Sequence, residues 1–226
     1  MKGVTKTDFM RGMQCERMLW LDKHRPEKKI IPPDVRRRLF MGNVFGDKAM
    51  GMLGPYEEMT VYRPGTSMPD KEQMVQNTRL HLRKGTPVIC EAAFEWQGNY
   101  CACDLLRKTE QGYQMYEVKN AGAVKDVFIR DAAFQAYIVK RCGLALDKVF
   151  IVYHGYDEDD PFTAVEVTPE VMELLGWVEE NLDRLNRARG SGQEIFCPMG
   201  PQCDTPYECW YKHYCMSEQD LKEKSK

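Results

Sequence analysis

Between residues 87 and 119 short apolar runs punctuated by turns predict three strands in succession. The run 87-PVICEAAFEW-96, the turn Gln97–Gly98–Asn99 and the run 100-YCACDLL-106 predict a hairpin. A second turn, around Thr109 to Gly112, leads to a third strand, 113-YQMYEVK-119. In that strand Tyr113, Met115, Glu117 and Lys119 share one face, with Tyr116 and Val118 on the other. On both sides of this block the pattern is helical. Thr5 or Thr7 caps a first helix, with Asp8 in its first turn, that carries Phe9, Met10, Met13, Cys15, Leu19 and Trp20. After a loop with Pro26, Pro32 and Pro33, a second helix is predicted over about 34–52. Residues 53–69 read as loop, and Asp70 caps a third helix to about Arg83. Beyond the strands, a helix runs from about Val124 to Arg141 and stops at Gly143. The segment 147-DKVFIVYH-154 is a strongly apolar strand, and 157-DEDDP-161 reads as a solvated turn. Thr168–Pro169 opens a final helix whose apolar positions 171, 174, 175, 178, 182 and 185 form one face.

Helices, three strands, a helix, a strand and a helix describe an α/β fold, a mixed central sheet with helices packed on it. Within a single domain, residues 1–84 form a helical part, 85–188 a core and 189–226 a Cys-rich tail. With 226 residues, 43% of them hydrophobic, the chain can bury a core without staples. The net charge of −2 excludes a globally basic nucleic-acid binder, so any such site is a local patch. Met1 to Lys6 leads into a polar segment rather than an apolar signal. No apolar run approaches the roughly 20 residues of a membrane span. A cytoplasmic chain with reduced thiols is expected. In that setting nine cysteines argue for metal or cluster ligation rather than disulfides. Cys90, Cys101, Cys103 and Cys142 read as small core hydrophobes instead.

Asp104 lies near the end of the second strand, and Glu117 and Lys119 lie on one face of the third. Antiparallel neighbours bring such residues to about 5 Å of each other. Two converging carboxylates repel unless a cation lies between them, and oxygen ligands suit Mg²⁺ or Mn²⁺. A lysine on the same face can orient a water or stabilise developing phosphate charge. This is the residue set for metal-assisted phosphodiester hydrolysis. Read blandly, Glu117 and Lys119 are an exposed ion pair on a half-solvated strand.

The tail carries Cys197, Cys203, Cys209 and Cys215 at even spacing, with no close pair. Zinc knuckles use tight pairs, whereas a 4Fe–4S cluster draws thiolates from separate turns; spacing alone leaves both open. Tyr207, Trp210, Tyr211 and Tyr214 would shield a cluster, or simply form the core of a small annex.

Asp104, Glu117-Val118-Lys119 and the helix bearing Phe134-Gln135-Ala136-Tyr137 resemble the PD-(D/E)XK nuclease superfamily, and within it the RecB-type branch. The resemblance implies that Asp104, Glu117 and the Val118 carbonyl bind a divalent metal. Lys119 would be the catalytic lysine, Gln135 would lie near it or the DNA, and Glu91 would be an outer acid. Two positions depart from the pattern. Val139 stands where a tyrosine is usual, four residues after Gln135, and Gly46 stands where an early helix commonly places a histidine ligand. The cysteines resemble the iron–sulfur exonucleases of this branch, with one early ligand, Cys15, and three late ones, Cys203, Cys209 and Cys215. Cys197 is then surplus. Such a cluster would clip the chain's two ends together across a very long loop.

What the resemblance implies is a DNA exonuclease acting on single-stranded or end-bearing DNA, with a structural 4Fe–4S cluster. A protein partner in a repair, recombination or defence complex is compatible with it. Candidate phosphate contacts are Arg36, Arg37, Arg38, Arg107, Lys108 and Lys125. Two other readings stay open: a catalytically weak or inactive DNA- or partner-binding subunit, and a zinc-binding interaction module.

Overall fold

The computed structural model describes residues 3–155 and 161–217; the expected acidic turn falls almost wholly outside them. Helix α1 (Lys6–Gln14) starts at a reciprocal cap. Thr5 Oγ1 accepts from Asp8 N at 3.2 Å and Asp8 Oδ2 from Thr5 N at 3.0 Å. The first helix does not continue to Trp20 as expected. Cys15 is extended (φ −162°, ψ 116°) and the chain restarts as α2 (Glu16–His24). Pro33 opens α3 (Pro33–Ala49), where its missing N–H costs nothing. Of this helix only Phe45 and Ala49 are buried.

Two strands go beyond the sequence reading. Strand β1 (Glu57–Glu58) lies within the presumed loop, pairing parallel with the strand after α4 (Lys71–Lys84). That strand is β2 (Val88–Trp96), and it is followed by β3 (Asn99–Lys108) and β4 (Tyr113–Val118). Helix α5 (Asp126–Arg141) then crosses to β5 (Leu146–His154), and β6 (Phe162–Glu166) is the second unexpected strand. Both additions are edge strands, too short and too exposed to alternate clearly. The last helix breaks in two, α6 (Thr168–Glu173) and α7 (Leu175–Gly190).

The six strands lie in the order β1-β2-β3-β4-β5-β6. β2, β3 and β4 are antiparallel, while β4 and β5 run parallel across the α5 connection. On one face sits α5, buried along most of its length, with α1 and α7 outside it. Phe9 of α1 bridges these layers, 4.8 Å from Phe134 and 5.5 Å from Trp177 between ring centroids. On the other face Val88, Cys90, Leu105, Tyr116 and Val152 pack under Met50, Met52 and Leu53. Cys90, Cys101 and Cys103 are buried as expected, but Cys142 is exposed. It is the C-cap of α5, one residue past the end of the helix. No helix among the described residues is long and apolar enough to cross a membrane.

Candidate active site

The β2–β3 pairs Cys90↔Leu105 and Ala92↔Cys103 set Glu91 opposite Asp104. The β3–β4 pair Leu105↔Tyr116, carried one step on, sets Asp104 opposite Glu117. Three acids therefore line up across three adjacent strands. The backbone pairing is interrupted along this row. Glu91 is left-handed (φ 53°), a conformation that costs a residue with a Cβ and persists where its surroundings impose it. At Asp104 the β3–β4 ladder has ended, and the Asp104 carboxylate accepts the Val118 N–H at 2.6 Å. β4 thus parts from β3 while remaining paired to β5 through Val118.

Glu117, 1% exposed, is the hub. Its Oε1 accepts from Lys119 Nζ at 2.6 Å and from Lys6 Nζ at 2.9 Å, and its Oε2 from Gln135 Nε2 at 2.5 Å. Lys119 also pairs with Asp131 on α5. Burial pushes the Glu117 carboxyl up, but Lys119 and Lys6 outweigh it and hold the group well below the usual carboxylate range. At Asp104 the balance is reversed: burial and the Glu117 charge outweigh Lys6 and Lys119 and push it up to about 8. Glu91 rises to about 7, through burial against the opposing pull of Lys6. Burial alone would lower Lys119, but Asp131 and Glu117 keep it firmly charged.

Two ammonium groups thus face four carboxyl groups, and positive charge is in short supply. Asp131 Oδ1 and Gln135 Oε1 are buried without a hydrogen-bond partner, two acceptors at the same site. Among the described residues no group of three or more His, Cys, Asp or Glu side chains is arranged to hold a metal ion. In the carboxylate cluster the Lys6 and Lys119 ammoniums take up the Glu117 oxygen instead.

Asp104, Glu117, Lys119 and Gln135 are brought together, and Lys6 and Asp131 join them without having been singled out in the sequence. Asp131 had a legible signal, since it lies four residues before Gln135 on α5 and so on the same face. Lys6 had none. It arrives because the chain before α1 lies along β3, with Tyr100 N donating to Val4 O at 3.0 Å and Val4 N to Asn99 Oδ1 at 3.0 Å. Of the candidate phosphate contacts, Arg38 lines a cleft that Lys6, Lys119 and Asp131 also line, and Lys125 is exposed at the start of α5. Arg36 donates to Ile31 O at 3.1 Å and Arg37 is exposed on α3. Arg107 and Lys108 sit at the far end of β3, away from Asp104. A Cβ at Gly46 would meet nothing within 4 Å.

The late cysteines and Cys15 meet at a second place. Cys15, Cys197, Cys203, Cys209 and Cys215 line one pocket with Arg17, Met18 and Tyr211. The break between α1 and α2 turns Cys15 into it. Burial and neighbouring Cys197 push the Cys15 thiol up to about 12. Arg17 Nη1 donates to Cys215 Sγ at 3.4 Å.

No family model matches the chain, and no curated protein matches it. Among solved structures it is similar to SSO0001 at 11% identity over 82% of this chain and 77% of that one, with a TM-score of 0.43. It is also similar to the alkaline exonuclease LHK-Exo from Laribacter hongkongensis at 15% identity over 84% of this chain and 94% of that one, with a TM-score of 0.38.

Proposed function

We propose that the chain is a metal-dependent DNA nuclease of the PD-(D/E)XK type, an exonuclease on single-stranded or end-bearing DNA. The observation that carries this reading is the grouping of Asp104, Glu117 and Lys119 at the point where β4 leaves β3. The donor set is chemically suited to a hard divalent cation: all oxygen, short of positive charge, with two orphaned acceptors close by. Asp104, Glu117 and the Val118 carbonyl would hold Mg²⁺ or Mn²⁺. When bound, such a cation supplies Lewis acidity and a more acidic water. Lys119, braced by Glu117 and Asp131, keeps a fixed positive charge facing the place where phosphate charge develops. Gln135 fixes the second oxygen of Glu117 and so limits its rotation.

For the cysteine pocket we propose a 4Fe–4S cluster held by Cys15, Cys203, Cys209 and Cys215, a reading supported by five thiols lining one pocket. Its proposed role is structural, tying the α1–α2 break to the tail. A brown absorption band after anaerobic purification separates this from a zinc module, which is colourless.

A second reading, a DNA-binding subunit without cleavage, draws on Lys6 already occupying the Glu117 oxygen. The deciding assay follows labelled single- and double-stranded DNA with Mg²⁺ or Mn²⁺, with Lys119→Ala beside wild type. Cleavage by wild type that is lost in Lys119→Ala is expected. Inactive wild type, or full activity in Glu117→Ala, overturns the enzyme reading.

A further inference from the structure

The loop between Cys203 and Cys209 reaches beyond the cysteine pocket. Its residue Tyr207 lines a cleft of about 410 Å³ between α1, α3 and the start of α5. That volume falls in the range of roughly 300–1,000 Å³ that receives a small organic group. Tyr207 is 53% exposed, and the charges its hydroxyl senses are those of Lys119, Asp131 and Arg38. The loop is clamped from α1, since Gln14 Nε2 donates to Tyr207 O at 2.6 Å and to Gln202 O at 2.7 Å. The same cleft is lined by apolar Leu39 and Phe128. Although Lys6 and Lys119 are paired within the carboxylate cluster, its lining as a whole carries Lys6, Arg11, Arg38 and Lys119 against only Asp131 and Glu208. Apolar and aromatic side chains beside net positive charge suit a strand with unpaired bases and a phosphate backbone.

Building on the nuclease reading, we infer that this cleft takes the end of a single DNA strand and that Tyr207 stacks on one of its bases. The cysteine-rich segment then has two tasks: it joins the chain's ends, and it aims an aromatic ring at the substrate next to Lys119. Tyr207 is a positioning residue, acting on the base rather than on the phosphate.

The test measures binding without cleavage, using a fluorescein-labelled oligothymidylate in EDTA and fluorescence anisotropy. Tyr207→Ala is expected to weaken binding by about tenfold, the loss of one base–aromatic stack, and Tyr207→Phe to bind as wild type does. An oligonucleotide with terminal 2-aminopurine adds a readout that a merely structural role would not move. Its fluorescence is expected to be quenched on wild type and Tyr207→Phe, and not on Tyr207→Ala. Equal binding by wild type and Tyr207→Ala overturns the inference, and so does absence of binding by wild type. So too does a dimer that forms through this cleft, dissociates in Tyr207→Ala and excludes the oligonucleotide. Because binding is measured without cleavage, a protein that binds in this way but is inactive in the separate cleavage assay refutes the nuclease reading alone.

Discussion

The Asp104 carboxylate accepts the Val118 N–H at 2.6 Å, taking the place of a ladder acceptor where two strands separate. One side chain thereby both caps an opened sheet and adds a carboxyl group to the cluster around Glu117. The two tasks separate by substitution. Asp104→Asn keeps an acceptor for Val118 and removes the charge. Its melting temperature is expected to stay within about 3 °C of wild type while DNA cleavage falls at least 100-fold. Asp104→Ala leaves the N–H without its partner and is expected to lose a further 1–3 kcal/mol or so of stability. Chemical denaturation of both variants, alongside the cleavage assay, checks the pair; an active Asp104→Asn contradicts it.

Lys6 competes for the oxygen that a cation would use. Lys6→Met removes that competitor at a half-buried position and keeps the aliphatic stem. Manganese affinity, followed by titration calorimetry, is expected to rise by roughly tenfold, the equivalent of about 1.4 kcal/mol. Unchanged or weaker affinity would show that Lys6 and the metal do not share Glu117.

The raised carboxyl groups make the metal-free protein sensitive to alkali. Unfolded Asp and Glu release their protons near pH 3.9 and 4.3, but folded Glu91 and Asp104 hold theirs to about 7 and about 8. The penalty for burying them as anions is absent below the unfolded values. It grows as pH rises and is complete above the folded ones. Thermal melts of metal-free protein between about pH 6 and pH 9 are expected to fall with pH, and less steeply in Asp104→Asn. Added Mn²⁺ is expected to raise the melting temperature most at the alkaline end. A flat profile contradicts the account.

Cys15 and Cys197 are neighbours in one pocket, and substitution tells which of them serves as a ligand. Cys15→Ser is expected to lose the brown chromophore and much of the soluble yield, whereas Cys197→Ser is expected to keep its spectrum. Absorbance near the visible iron–sulfur band and iron content per chain give the answer. The reverse outcome moves the fourth ligand from Cys15 to its neighbour Cys197.

Phe9 ties α1, and with it Lys6 and Gln14, to α5 and α7. Phe9→Ala is expected to cost about 3–5 kcal/mol, the range for a buried phenylalanine, measured by denaturant unfolding. A smaller loss would show that α1 is held mainly by the strand-like contact of residues 3–5.

Local sequence pattern determined the parts of this protein that local physics controls. Apolar runs joined by a turn marked β2 and β3, and period-two alternation marked β4 and put Glu117 on the face of Met115. A stop at Gly143 closed the α5 segment, and Asp70 and Thr5 marked helix starts. Tertiary structure decided the rest. β1 and β6 exist because a neighbouring strand offers an edge, which no two- or five-residue pattern can announce. The split at Cys15 follows from seating α1 on α5 and α2 on α7, a demand set by packing rather than propensity. Lys6 reaches Glu117 from beside β3, and Asp131 reaches Lys119 from the covering helix. Charge pairing in a buried site depends on which elements meet there, and one segment's pattern does not carry that information.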